Sequence, residues 1–254
     1  MADMQQPKTA NGVSRQEGGL EPILKDSPSS STSEPKGTQL QFSQLGYPTV
    51  TESLIKAFNK VRDSLSTEKG AIFSKLDCVA ELNKKTDEAY GIVFKAYEKL
   101  SRLIDKSNTE DKIRKINLKI IELFFKLTPE RTTEVITKLI DVSNRILTGE
   151  LGLKSNKSIY VEATGLLKNM GYAFTRGHSD TTNFSPDAIK DLVDNSQGYF
   201  VHTLIHEAIH RVTSFGREFQ AFDVYDSDPK FDVLTLDEQL KNPDSYTRLF
   251  FQLS

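Results

Sequence analysis

Apolar residues recur at three- and four-residue steps through residues 49–149, which is the period of an amphipathic α-helix. Two runs carry the pattern: Val93, Tyr97, Leu100 and Ile104, then Ile113, Ile116, Ile120, Leu123 and Leu127. The spacing predicts four helices, which we expect to serve mostly as a scaffold. A helical binding module is the alternative, because Phe124 and Phe125 are adjacent and a single buried stripe on a helix requires only one of them.

Residues with strong capping preferences mark the ends of these helices. Asn108 is suited to cap the third helix. Thr128 followed by Pro129 predicts the start of the fourth helix, and Gly149 predicts its end.

The helical periodicity ends near residue 150, and residues 150–195 contain short segments typical of β-strands. The segments 158–164 (SIYVEAT) and 171–176 (GYAFTR) are short, rich in β-branched or aromatic residues, and bounded by turn formers. They predict a small sheet of two or three strands, and Pro186 predicts the start of a short helix. The chain as a whole therefore reads as mainly α, of the α+β class.

Residues 1–47 are rich in serine and proline, and Phe42 and Tyr47 are their only aromatic residues. Such a segment cannot bury enough apolar surface to offset the entropy of ordering it, so we predict a disordered leader. It is either a solvated spacer or a recognition signal for a secretion or packaging machine. Residues 48–254 are then the folded domain, with a helical part at 48–150 and a sheet-containing part at 151–254.

Composition and charge exclude several classes of protein. The 254 residues include 33 basic and 35 acidic side chains, a net charge of −2, without the basic excess of a dedicated nucleic-acid binder. No stretch approaches the roughly 20 apolar residues of a membrane span, and the first residues lack the apolar run of a secretory signal. The single cysteine, Cys78, cannot form an internal disulfide, which suits a reducing, cytoplasmic compartment.

The segment 198–216 contains the sequence HEAIH at 206–210. Residues four apart lie on one face of a helix, so His206 and His210 can both bind one metal ion. Glu207 lies one step round the helix, where it can reach a metal-activated water as a general base without being a ligand. The opposite face of the helix is apolar and is expected to be buried: Val201, Leu204, Ile205, Ala208, Ile209 and Val212.

A catalytic zinc takes three protein ligands and keeps one position for water, so a third ligand must come from downstream of the helix. The candidates are Glu218 and four aspartates that follow it: Asp223, Asp226, Asp228 and Asp232. His202 extends the four-residue spacing, but the helix rotates about 80° between residues 202 and 210. We therefore expect His202 to be a packing or hydrogen-bonding partner of the site.

Three segments, in this order, resemble elements of the aspzincin metallopeptidases, the deuterolysin and peptidyl-Lys metalloendopeptidase group. They are TLIHEAIH (203–210), FDVYD (222–226) and NPDSY (242–246). The second segment departs from the family pattern, because no GT precedes its aspartate and the tyrosine follows two positions later. The resemblance covers about residues 70–254 and implies a zincin-like fold with long N-terminal helices, a small sheet and a zinc-binding helix.

The resemblance also implies a role for each matched residue. His206, His210 and Asp223 match the zinc ligands, with Asp226 as the next candidate for the third. Glu207 matches the catalytic base, and Tyr225 is the expected donor to the oxyanion, with Tyr246 as its competitor. Asp244 is expected to accept a hydrogen bond from a ligand imidazole and to fix its tautomer.

These observations predict a Zn²⁺-dependent metalloendopeptidase whose substrate is a protein or peptide. The leader suggests a toxin or effector delivered into a target cell by a non-classical secretion or contractile injection apparatus. The alternative function is a helical interaction protein whose zinc site is structural or vestigial.

Overall fold

The computed structural model describes residues 45–104, 111–149, 151–165, 172–175, 179–213 and 223–254. The predicted leader falls outside these ranges except for residues 45–47, as do Asn108 and Glu218. In the described ranges, Gly46 exchanges backbone hydrogen bonds with Ser155, and the Tyr47 hydroxyl donates to the Asp87 carboxylate at 2.9 Å.

Helices make up most of the described chain. Four come first: α1 (Glu52–Lys69), α2 (Cys78–Ile104), α3 (Asp111–Phe124) and α4 (Thr132–Thr148). The remaining helices follow the first strands: α5 (Pro186–Asp194), α6 (Phe200–Val212), α7 (Leu236–Gln239) and α8 (Pro243–Leu253). Short 3₁₀ turns lie at Phe73–Lys75 and Phe231–Val233.

One four-stranded mixed sheet accompanies these helices in the described residues. Its strands are β1 (Thr49–Val50), β2 (Tyr160–Ala163), β3 (Ala173–Thr175) and β4 (Thr181–Phe184), in the spatial order β1, β2, β4, β3. β2 runs parallel to both β1 and β4, whereas β3 is antiparallel to β4. β3 is therefore an edge strand, and β4 lies inside the sheet.

A single large apolar core joins the helices to the sheet. α2 is its longest element and buries Leu82, Ala89, Val93, Ala96 and Leu100 at its centre. α6 is enclosed between α2, α4, α5, α8 and β3. The segment with the two histidines is consequently one of the most deeply buried helices of the described chain.

The mainly helical α+β class and the four helices predicted within residues 49–149 are confirmed. The number of strands is larger than predicted, since the pattern indicated neither β1 nor β4. The predicted start of the fourth helix at Pro129 is wrong, and α4 begins at Thr132. The Thr128 carbonyl first accepts hydrogen bonds from the backbone amides of Arg131 and Thr132, so residues 128–131 form a turn.

None of the helices in the described ranges combines the length and the apolarity that crossing a membrane requires.

Candidate metal centre

The start of α6 is held by a buried carboxylate. Asp191, near the end of α5, is fully buried and accepts backbone hydrogen bonds from Gln197 at 2.7 Å, Gly198 at 2.9 Å and Phe200 at 2.8 Å. Amide groups at a helix start have no partner within the helix, and an acidic side chain there also favours the helix dipole. Asp191 thereby holds the backbone at the start of α6.

His206, His210 and Asp223 come together at one point beside α6. His206 Nε2 lies 3.2 Å from His210 Nε2 and 3.2 Å from Asp223 Oδ1. His210 Nε2 lies 3.8 Å from Asp223 Oδ2. Among the described residues these three form a cluster whose candidate ligand atoms all lie within 4.8 Å of one another.

The spacing of these atoms fits a tetrahedral metal ion. Two ligand atoms that are each about 2.1 Å from zinc at tetrahedral angles are about 3.4 Å apart. The observed separations of 3.2, 3.2 and 3.8 Å straddle that value. Two imidazoles and one carboxylate also form a donor set that zinc accepts in catalytic sites, with one position left over. The residues present therefore fit a zinc ion.

Asp223 reaches the histidines because the chain that follows it is tied to α8. The backbone N–H of Val224 donates to Asn242 Oδ1 at 3.1 Å, and Asn242 Nδ2 donates back to the Val224 carbonyl at 2.8 Å. The Val224 side chain packs with Phe231 and Leu234 against Phe124 of α3. The Asp223 side chain remains 30% exposed, so the cluster is open to the surface on that side.

The other candidate for the third ligand is engaged elsewhere. The carboxylate of Asp226 pairs with Arg248, and its backbone N–H donates to Asp244 Oδ2 at 3.0 Å. Of the candidate aspartates, Asp223 is the one that lies within the histidine cluster.

Glu207 is buried beside the cluster and has an unsatisfied oxygen. Its Oε2 atom has no hydrogen-bond partner among the described residues. A buried carboxylate oxygen without a partner is costly unless a ligand or water completes it. This atom is therefore available to accept a proton.

Asp244 lies between two histidines of α6. Its Oδ1 is 3.2 Å from His202 Nε2 and 3.9 Å from His206 Nδ1. The closer partner is His202, which also stacks against Phe251 with ring centroids 5.7 Å apart. His202 thus lies outside the cluster of His206, His210 and Asp223, as its position on the helix predicts, and links α6 to α8.

The two tyrosines occupy different environments. The Tyr225 ring stacks nearly parallel on His206, with centroids 5.5 Å apart and an interplanar angle of 11°. Its pKa is raised by burial and by the charge of Asp223, so the hydroxyl keeps its proton at neutral pH. Tyr246 is fully buried and donates to the Leu240 carbonyl at 2.7 Å. The Tyr246 hydroxyl thus donates within the core, and its role as a competing oxyanion donor stays a prediction.

The pKa values of His206 and His210 are shifted in opposite directions. Burial alone would lower the pKa of His206, but Asp223 and Asp244 raise it to about 10. Burial lowers the pKa of His210 to about 4, and the charge of His206 acts in the same direction. Burial would raise the pKa of Asp223, but its contact with His206 holds it below the ordinary value. Burial also raises the pKa of Glu207. At neutral pH without a metal, one of the two imidazoles is therefore protonated.

Several residues that shape the site are not apparent from the sequence pattern. Arg211 follows the second histidine and is only 4% exposed, and it donates to the hydroxyl of Thr182, which lies 2.7 Å from the hydroxyl of Thr175. Asn242 lies within the NPDSY segment, where only its neighbours Asp244 and Tyr246 were assigned roles. The one signal in the sequence that points to Arg211 is its position as the single Arg or Lys of a helix rich in apolar residues.

Comparison of the chain with protein-family models, with curated proteins and with solved structures gives no match. The likeness to aspzincins accordingly depends on the three short segments alone.

Proposed function

We propose that this chain is a zinc-dependent peptidase of the aspzincin type, with His206, His210 and Asp223 as the metal ligands. The observation that carries the proposal is the convergence of two imidazole nitrogens and one carboxylate at separations of 3.2–3.8 Å beside a buried glutamate. Zinc bound by these residues would supply a Lewis acid that acidifies water and polarises the carbonyl of the scissile bond.

Glu207 acts as the general base. Its raised pKa and its free Oε2 atom suit a group that takes a proton from the attacking water. The same carboxyl then returns the proton to the amine of the departing peptide, so the glutamate ends each cycle ionised.

Tyr225 stabilises the negative charge that develops on the carbonyl oxygen. Its hydroxyl remains protonated and its ring lies over His206, at the edge of the cluster. A hydrogen-bond donor at this position contributes most when it is fixed before the reaction begins.

The alternative is a helical interaction protein with a structural metal site. One observation favours it: Ile113, Ile116 and Leu123 of α3 are 51%, 48% and 70% exposed and lie on one face of the helix. The adjacent Phe124 and Phe125 do not favour this alternative, because Phe125 is fully buried and Phe124 packs on the loop that carries Asp223. A structural site would need a fourth protein ligand, and the cluster in the described residues has three.

The test compares zinc content and peptide hydrolysis in Glu207→Gln and in a matched control. The control is Glu98→Gln, which changes an exposed glutamate on α2. Glu207→Gln is expected to bind one zinc ion per chain but to have a kcat at least about 100-fold lower than the wild type on a peptide library. Glu98→Gln is expected to keep the wild-type zinc content and the wild-type kcat. Hydrolysis by Glu207→Gln at the wild-type rate, or none by the zinc-loaded wild type, would contradict the proposal.

A further inference from the structure

The helix α3 has two apolar faces, and the core of the described chain covers one of them. On the covered face Ile121 is fully buried and Asn117 is 6% exposed. The other face carries Ile113, Ile116 and Leu123, which are 51%, 48% and 70% exposed. Large aliphatic side chains that lie exposed together on one face mark a surface that contacts a partner.

The exposed face has the spacing of a coiled-coil seam. Ile113, Ile116, Ile120 and Leu123 follow one another at steps of three, four and three residues, which is the alternation of a and d positions over two heptads. Ile120 is half-buried and joins this row to the core. We refer to the four residues as the α3 seam. A helix presents such a seam to another helix, whose apolar side chains fill the spaces between its own.

The two edges of the α3 seam differ in charge and in accessibility. Phe124 borders one edge and packs on apolar residues of the segment 224–234, so the chain itself covers that side. Lys112 and Lys119 border the other edge, at the positions that flank the seam in each heptad, and both are exposed. Neither lysine forms an ion pair with a described residue. The open edge of the seam is therefore positively charged.

A second copy of this chain does not complement the α3 seam. Antiparallel pairing of two copies would bring Lys112 and Lys119 of one copy against the same lysines of the other. Parallel pairing would set these lysines against Asn117 and Phe124, on the edge that the segment 224–234 covers. Neither arrangement supplies an acidic side chain opposite the lysines.

An anionic membrane surface is also a poor match for this face. Asp232 follows Phe231, which packs on Phe124, and Asp232 is exposed beside the covered edge of the seam. A lipid surface of uniform negative charge would be attracted to one edge and repelled by the other. A protein partner can place acidic side chains on the lysine edge alone.

We propose that the α3 seam is the docking site for an amphipathic helix of another protein, with apolar side chains at its own a and d positions and acidic side chains beside them. The apolar side chains fill the spaces of the seam, and the acidic ones pair with Lys112 and Lys119. The inference goes beyond the proposed peptidase function and does not depend on it, because α3 contributes no residue to the candidate metal cluster of the described chain.

The probe is a synthetic helix of four heptads, about 28 residues, with isoleucine at a, leucine at d and glutamate at both flanking positions. A matched peptide has lysine in place of each glutamate. Fluorescence anisotropy measures the binding of each peptide to the full chain, with a chelator present so that zinc-dependent hydrolysis cannot consume the probe. We expect a Kd below about 100 μM for the glutamate peptide and at least about tenfold weaker binding of the lysine peptide. Failure of both peptides to bind would overturn the proposal.

Charge reversal tests the lysine edge. Lys112→Glu/Lys119→Glu is expected to exchange the preference, so that the lysine peptide binds at least about tenfold more tightly than the glutamate peptide. The matched control, Lys60→Glu/Lys190→Glu, reverses two exposed lysines on α1 and α5 and should keep the wild-type preference. A preference that is unchanged in the first variant, or exchanged in both, would overturn the proposal.

Removal of apolar side chains tests the seam itself. Ile116→Ser/Leu123→Ser should lower the affinity for the glutamate peptide by at least about tenfold with an unchanged circular dichroism spectrum, because both side chains are exposed. The control is Ile72→Ser, which changes a 75% exposed isoleucine in the turn after α1 and should bind as the wild type does. Wild-type affinity in Ile116→Ser/Leu123→Ser would contradict docking at the seam.

Two further measurements identify a different occupant. Sedimentation equilibrium of the chain alone would show a dimer that Ile116→Ser/Leu123→Ser dissociates if a second copy covered the α3 seam. Cosedimentation with vesicles of phosphatidylcholine and phosphatidylserine, lost in the same variant, would show that a lipid surface covers it. We expect a monomer that does not bind the vesicles, and either of the other results would overturn the proposal.

Discussion

His206 is the residue at which the charges of the site converge. Its Nε2 faces His210 and Asp223, its Nδ1 faces Asp244, and the Tyr225 ring covers it. An imidazole between two carboxylates holds its proton strongly, which raises its pKa to about 10. A metal ion must displace that proton, so metal binding and protonation are linked at this one side chain.

The linkage predicts release of one proton when zinc binds at pH 7. His206 is protonated below its pKa of about 10, while His210, with a pKa of about 4, is already neutral. Apparent zinc affinity should therefore rise about tenfold for each pH unit between pH 7 and pH 9. Calorimetric titrations in two buffers of different ionisation enthalpy measure the proton count. A count of zero would show that His206 is neutral in the metal-free protein.

The choice between the two neighbouring aspartates leads to a second prediction. Asp223→Asn removes a charged ligand and should lower zinc affinity by at least about 10- to 100-fold. Asp226→Asn is the matched control, because Asp226 pairs with Arg248 outside the cluster. Competition with a fluorescent zinc chelator measures both affinities. A larger loss of zinc affinity in Asp226→Asn than in Asp223→Asn would indicate that Asp226 is the ligand.

The two tyrosines give a third prediction. Tyr225→Phe should lower kcat by about 100-fold or more with zinc content unchanged, since it removes the expected oxyanion donor. Tyr246→Phe should keep kcat and lose about 1–3 kcal/mol of unfolding free energy, because the buried Leu240 carbonyl loses its partner. Steady-state kinetics and urea unfolding separate the two effects, and equal kinetic losses would argue against the assignment.

At the scale of elements, α6 could be predicted from the sequence, but the strands and side chains that hold the site together could not. The apolar period and the HEAIH spacing are local properties of residues 200–212, and so they can be read directly from the sequence. β4 has the sequence TTNF, with one large apolar residue, and β1 has two residues, so neither carries a periodic signal. Asn242 and Arg211 act on residues 18 and 60 positions away, respectively, through contacts that only the fold creates.

The junction of α5 and α6 predicts a dependence of stability on pH. Burial would raise the pKa of Asp191, but the backbone amides of Gln197, Gly198 and Phe200 hold it below the ordinary value. The carboxylate therefore stabilises the fold above its unfolded pKa of about 3.9, and this contribution is lost as pH falls through the folded pKa.

Asp191→Asn should cost about 2 kcal/mol of unfolding free energy at pH 7, and the difference from wild type should narrow below pH 4. The control is Asp187→Asn, an exposed acid in the first turn of α5, which should cost less than about 1 kcal/mol. Urea unfolding at pH 7 and pH 3 measures both. A difference for Asp191→Asn that is the same at the two pH values would contradict the role of its charge.

At the scale of the whole molecule, the proposed metal ligands come from two distant parts of the chain. α6 supplies two imidazoles, and the segment from residue 223, tied to α8 and α3, supplies the carboxylate. Metal binding thus joins the long helical part to the C-terminal segment and should stabilise the fold. The delivery role of residues 1–47 stays a prediction, since residues 1–44 lie outside the described ranges.

Free zinc at about 100 times its dissociation constant should stabilise the protein by about 2.7 kcal/mol, which raises Tm by about 5–10 °C in a chain of this size. Excess chelator should reverse the shift. Glu207→Gln should respond as the wild type does, because Glu207 is not a ligand, whereas His210→Ala should show little change. Differential scanning calorimetry measures the Tm shift of the wild type and of both variants. A shift in His210→Ala equal to that of the wild type would mean that zinc binds elsewhere.

The most direct measurement is a crystal structure of the zinc-loaded protein with anomalous diffraction at the zinc edge. We predict one peak about 2.0–2.2 Å from His206 Nε2, His210 Nε2 and an Asp223 oxygen, with a fourth position that no protein atom fills and that Glu207 faces. A peak away from these three atoms, or a fourth protein ligand that closes the site, would contradict it.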